Sequence, residues 1–202
     1  MDKLSSLGAA VQAAVASQDA KDLATEYAEV GLDTFLDAGI ARDIPLVGTL
    51  VGLAKIGMTV HDRLFAKKIL DLLTGLADLA VEERQELIAR LEGDPKYGRK
   101  VGEHLVDLID RIESHRKPAM VARVFKAYLR GEVDADMLHR LCGAVERVPG
   151  YEIPRLRPFC EAAPQERDAP IVTLQSFQAA GLLNAASGWG ALVYEPNEVT
   201  AA

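Results

Sequence analysis

Apolar residues recur every three to four positions along most of the first 150 residues, the period of helices buried on one face. Residues 3–16 carry a weak version of that pattern. A stronger one runs over 20–38, where Leu23, Tyr27, Val30 and Phe35 share a face and Ser17 or Asp19 stands ready as a cap. Gly39 and the 43–45 stretch end it. From Asp62 onward, Leu64, Phe65, Ile69, Leu72, Leu73 and Leu76 form a broad stripe. Positions 78–81 read as a break. Glu82 and Glu83 then open a helix to about Leu91, as acids suit the positive end of the helix dipole. Asp94 as N-cap and Pro95 behind it predict a helix to about Ser114, with Val101, Leu105, Leu108, Ile109 and Ile112 on one face. Lys117-Pro118 starts another, stopped by Gly131 after Arg130. Asp134 caps a further helix through Leu138, Leu141 and Val145, ended by Pro149-Gly150. Residues 1–150 are therefore expected to be an all-α, multi-helix bundle domain.

The last fifty residues differ. Pro154, Pro158, Pro164 and Pro170 punctuate two short helical pieces, and Ile171, Leu174, Phe177, Ala180 and Leu182 keep helical spacing up to Gly181. Glycines then flank Trp189 before a β-prone run at 191–194. Three helices followed by a glycine-tipped hairpin is the order of a winged-helix module, and FQAAGLLNAASGWGALVYEP resembles the third helix and wing of that superfamily. The expected second domain is residues 151–202, a small winged-helix-like module with a short β-hairpin. The resemblance implies that Trp189 sits at a wing tip, where it contacts a groove or partner or folds back on the core.

Residues 44–60, IPLVGTLVGLAKIGMTV, stand apart because Lys55 is their only charge and Gly48 and Gly52 form a GxxxG pair behind Pro45. A spanning helix needs about 20 apolar residues and tolerates a central lysine poorly. Two readings remain: a helix buried at the centre of the bundle, or one sheltered there until it engages a partner or an anionic membrane. Arg63, Lys67 and Lys68 follow closely and suit anionic headgroups. The segment is not a phosphate loop, since GTLVGLAK lacks the GxxxxGK[ST] spacing. With the later strings DRLFAKK, DPKYGRKVGEHL and KPAMVARVFKAYLRGE, it is similar to an uncharacterised family of bacterial helical proteins. That resemblance implies bacterial origin and brings no activity.

Charge narrows the functions. The 202 residues hold 23 basic and 30 acidic side chains, a net charge of -7, which argues against general coating of nucleic acid. The positive material is central. Arg116, Lys117, Arg123, Lys126 and Arg130 form a stripe with no acid between 114 and 131, suited to an anion or an acidic partner, or simply to solvent. The third helix of the C-terminal module offers Thr173, Gln175, Ser176 and Gln178 toward base edges but no cation for phosphates.

The four histidines are scattered and make neither HxxxH nor HExxH. Asp134 near Asp136 and His139 is better explained as a helix cap. Cys142 and Cys160 lack CxxC spacing, and Cys142 lies among apolar positions. No catalytic residue, metal site or cofactor is indicated. The Ala-rich N-terminus carries Asp2 and Gln12, which argues against an export signal and for the cytoplasm. The sequence thus points to a non-enzymatic, effector-type interaction protein that binds a protein partner or itself, with conditional membrane contact; the alternative is a winged-helix nucleic-acid regulator.

Overall fold

The computed structural model describes residues 3–38, 46–48, 59–114, 116–163, 168–188 and 191–201. The chain divides into two compact units, residues 1–129 and 130–202. Helices dominate both, and a single two-stranded hairpin is found among the described residues.

The first unit contains α1 (Lys3–Ala16), α2 (Ala20–Ala38), α3 (Val60–Leu76), α4 (Val81–Gly93), α5 (Val101–Arg111) and α6 (Lys117–Leu129). Thr59 and Asp62 form a capping box that starts α3: the Thr59 hydroxyl accepts from the Asp62 N–H at 3.2 Å, and the Asp62 carboxylate accepts from the Thr59 N–H at 3.0 Å. Glu83 serves α4 likewise, accepting from the Ala80 N–H at 2.8 Å. Among the described residues α1 and α3 are central together; α3 packs on α1, α2, α5 and α6 with Ile69, Leu70, Leu72, Leu73 and Leu76 buried. The sequence gives that place to the 44–60 segment, most of which lies outside the described residues. Leu46 and Val47, in its described helical turn, are fully buried.

One helix boundary and one helix interior differ from expectation. Asp94 closes α4 instead of opening a helix: its carboxylate accepts from the Lys96 N–H at 2.8 Å, and its carbonyl from the Gly98 N–H at 2.8 Å. Gly98, at φ +53°, turns the chain through a 3₁₀ segment, so the helix expected from Asp94 begins only at Val101. Helix α2 is broken at Gly31, whose φ of 73° and ψ of 172° are not helical.

The second unit contains α7 (Ala135–Arg147), α8 (Ile153–Glu161), α9 (Ile171–Ala179), β1 (Leu183–Gly188), β2 (Ala191–Pro196) and α10 (Glu198–Ala201). Asp134 caps α7 by accepting from the Met137 N–H at 2.8 Å. The strands pair antiparallel, with Leu183 opposite Pro196 and Ala185 opposite Tyr194. Phe159, Phe177, Leu182, Leu183, Tyr194 and Val199 form its core together with Ala144 and Val148. Those last two belong to α7 and its C-cap, so α7 lies in the second unit. The sequence draws the boundary at 150/151, on the strength of Pro149-Gly150, and the apolar face of α7 overrides that punctuation.

A recurrent device finishes the helices. Arg84 of α4, buried, donates to the carbonyls of Val15 at 2.9 Å and Ser17 at 2.7 Å around the end of α1, and also to that of Leu79. Lys68 of α3, also buried, donates to the carbonyls of Ile109, Asp110 and Ile112 at 3.3, 3.2 and 2.6 Å around the end of α5. Arg90 of α4 donates to the last carbonyl of α6, Leu129, at 2.9 Å. Arg147 of α7 donates to Ala180 at the end of α9, at 3.1 Å. At the ends of α1, α5, α6 and α9 a cation thus meets carbonyls at or just past the last turn, near the negative end of the helix dipole.

Candidate functional site

The predicted basic residues do not assemble into one face. Lys68 faces inward on the α5 terminus, and burial lowers its ammonium below the ordinary lysine value against the upward pull of Asp110. Lys67 bonds the Asp71 carboxylate at 3.0 Å and the Tyr27 hydroxyl at 3.3 Å. Tyr27 in turn donates to Asp71 at 2.9 Å. Burial, then Asp71, pushes the phenol up; burial pulls the Lys67 ammonium down, but Asp71 and Tyr27 together outweigh it and leave it raised. Arg63 is exposed. The trio read as a headgroup-binding cluster therefore has one member inside the fold and another in a three-way polar cluster.

The stripe after residue 114 is divided too. Lys117 is fully buried, with Glu113 at 3.5 Å, and Lys126 pairs with Asp78 at 2.6 Å. Arg116 and Arg123 are exposed. Arg130 belongs to the second unit, with Glu132 at 4.0 Å. Gly48 is exposed in the helical turn at 46–48. Pro45, Gly52, Lys55 and Trp189 lie outside the described residues.

The surface that stands out is at the starts of α8 and α9. Glu152, buried, accepts from the Thr173 hydroxyl at 3.1 and 3.2 Å and from Arg155 at 2.9 Å. This links the first turns of the two helices, and it takes Thr173, itself fully buried, out of any set of base-contacting side chains. Flanking the linked pair are Tyr151, Ile171 and Val172, which are 74%, 54% and 63% exposed. Beside them runs a groove of about 390 Å³ between α8 and the 168–170 segment, floored by Phe159 and walled by Pro154, Pro158 and Pro170. Arg155 and Asp168 also line it.

Sequence reasoning passed over this site. Ile171 reads as a member of the apolar stripe of α9, yet Phe177 and Thr173 are the buried positions of that helix. The Ile171-Val172 pair gave no signal, because adjacent apolar residues are also buried together, as Ile69-Leu70 and Leu72-Leu73 are on α3.

Among the described residues no three His, Cys, Asp or Glu side chains gather as metal ligands, and no helix is long and apolar enough to cross a membrane. No family model, no curated protein and no solved structure matches the chain.

Proposed function

We propose that this is a cytoplasmic, non-enzymatic interaction protein, and that the α8–α9 end of its second unit is where a protein partner docks. The observation that carries the reading is the exposure of Tyr151, Ile171 and Val172 around a buried Glu152–Thr173 link. The link fixes the backbone while leaving an aromatic and two aliphatic side chains in solvent, the composition enriched at protein interfaces over that of a free surface. The order of α7, α8, α9 and the hairpin supports a winged-helix-like reading of this unit. Its net charge of -4 over residues 130–202, the burial of Thr173 and the lack of any Lys or Arg on α9 favour a protein partner over nucleic acid. Vesicle contact through Arg63, Lys67 and Lys68 has less support, because Lys68 is turned inward and Lys67 is paired.

The test is site-specific photo-crosslinking from position 151 in cells that natively make the protein, against the same probe at the exposed position Glu132. A discrete adduct from position 151, lost with Ile171→Ser/Val172→Ser while the protein stays folded, is the expected result. An adduct of twice the chain's mass identifies self-association through this surface. Equal, diffuse labelling from both positions would defeat the proposal.

A further inference from the structure

The second unit has another concavity, and its chemistry is opposite to that of the apolar groove. It is a cleft of about 430 Å³ lined by Arg140, Arg147, Gly181, Asn184, Asn197 and Glu198. Arg140, Gly143 and Arg147 repeat at helical spacing along one face of α7. A Cβ at Gly143 would lie 3.2 and 3.3 Å from the two terminal nitrogens of Arg147, so the missing side chain gives the guanidinium room to lie along the helix. Gly181, held at φ +81°, leaves it room from the other side, where a Cβ would sit 3.5 Å from Nη2. The Ala180 carbonyl then fixes Nη2 at 3.1 Å.

Here Arg147 departs from the other helix-capping cations. Arg84 is buried and bonds three carbonyls, whereas Arg147 is exposed and, among the described residues, donates only to Ala180. A guanidinium carries five N–H donors, so most of this one is presented to the cleft in a fixed orientation. Across from it, the Asn184 amide is exposed on β1. The Asn197 amide is engaged, donating to the Gly181 carbonyl at 3.0 Å and accepting from the Val199 N–H at 3.0 Å. Arg140 is ion-paired with Glu198. The lining therefore holds two positive charges and one negative.

We infer that this cleft binds a small organic monoanion through its carboxylate, with Arg147 holding the carboxylate oxygens and Asn184 a neighbouring amide or hydroxyl. One uncompensated guanidinium matches one negative charge, and its planar fork matches a carboxylate. A phosphate dianion would bring a second charge close to Glu198. The volume falls within the range of small-molecule sites, roughly 300–1,000 Å³.

The experiment is a titration of the full-length, isotope-labelled protein followed by amide chemical shifts. The probe is N-acetylglycine, with N-acetylglycinamide as its uncharged match and sodium chloride at equal ionic strength. Saturable shifts at Gly181, Asn184 and Asn197 with the acid alone are expected. Arg147→Gln should weaken binding at least about tenfold, the loss of a charge-assisted hydrogen bond. Because that change also removes the α9 cap, Asn184→Ala serves as the second variant: it breaks no side-chain bond among the described residues and should weaken the acid severalfold. Equal shifts with the amide or with chloride would overturn the inference, as would tighter binding of methyl phosphate, or binding unchanged in folded Arg147→Gln or in Asn184→Ala.

Discussion

Tyr27, Lys67 and Asp71 form a closed triangle of polar groups between α2 and α3, and its pH response follows from the direction of two shifts. Both the phenol and the ammonium are raised, so in each case the folded state holds its proton more tightly than the unfolded chain. The stabilisation is complete below the ordinary values of about 10 for the phenol and 10.4 for the ammonium, and is lost as pH climbs through the raised ones. Stability should therefore fall on the alkaline side above about pH 10, and Tyr27→Phe should flatten that fall. Urea melts at stepped pH, with phenolate absorbance followed in parallel, check it. A Tyr27→Phe protein with an unchanged alkaline slope would show that the triangle does not contribute.

At the scale of elements, α1 and α5 cross at close range. A Cβ added at Gly8 would stand 2.6 Å from the Glu103 backbone nitrogen, and one at Gly102 would strike the Gly8 carbonyl. The Gln12 side chain spans the crossing, accepting from the Gly102 N–H at 3.3 Å and donating to Glu92 at 2.8 Å. Gly102→Ala should destabilise by about 1–3 kcal/mol, since the clash is with backbone and outweighs a helix-propensity gain of up to ~1 kcal/mol. Gly93→Ala, where a Cβ meets nothing within 4 Å, is the control and should be neutral or slightly stabilising. Chemical denaturation of both variants decides the matter. This crossing shows what the sequence could and could not reveal. The capping acids Glu83 and Asp134 and the stop at Gly131 are readable because their partners lie within three or four residues. Gly8 and Gly102 are far apart in the chain, and neither signals the other. The capping roles of Arg84, Lys68 (read from the sequence as a headgroup cation) and Arg90 were hidden for the same reason: the helix-end carbonyls they meet lie 39 to 69 residues away.

For the whole molecule, the boundary at 129/130 has a consequence for independent folding. The second unit's core takes Ala144 and Val148 from α7 and its C-cap, together with Phe159 and Phe177, whose rings lie 6.4 Å apart. A fragment of residues 130–202 should unfold cooperatively on heating, whereas residues 151–202, the domain drawn from Pro149-Gly150, should not. Circular dichroism melts of both fragments test this, and cooperative melting of the shorter one would restore the earlier boundary. The helical class and the terminal hairpin were legible because period and glycine placement are local signals. The ownership of α7 was not, because an apolar face does not say which neighbour covers it. The α8–α9 surface was hidden similarly: Glu152 and Thr173 are 21 residues apart, and their pairing is what joins the helix starts that carry Tyr151 and Ile171-Val172.

The cation that finishes α1 also sets a timetable for synthesis. The α1 carbonyls reached by Arg84 wait for a residue 67 to 69 positions further along the chain. At roughly 5–20 residues per second, a nascent α1 stands open at its C-terminal end for about 3–14 s before its partner is made. Helix α5 faces no such delay, because Lys68 precedes the carbonyls it serves by 41 to 44 positions and is already present when they emerge. A chaperone at the ribosome exit would shield the end of α1 during that interval.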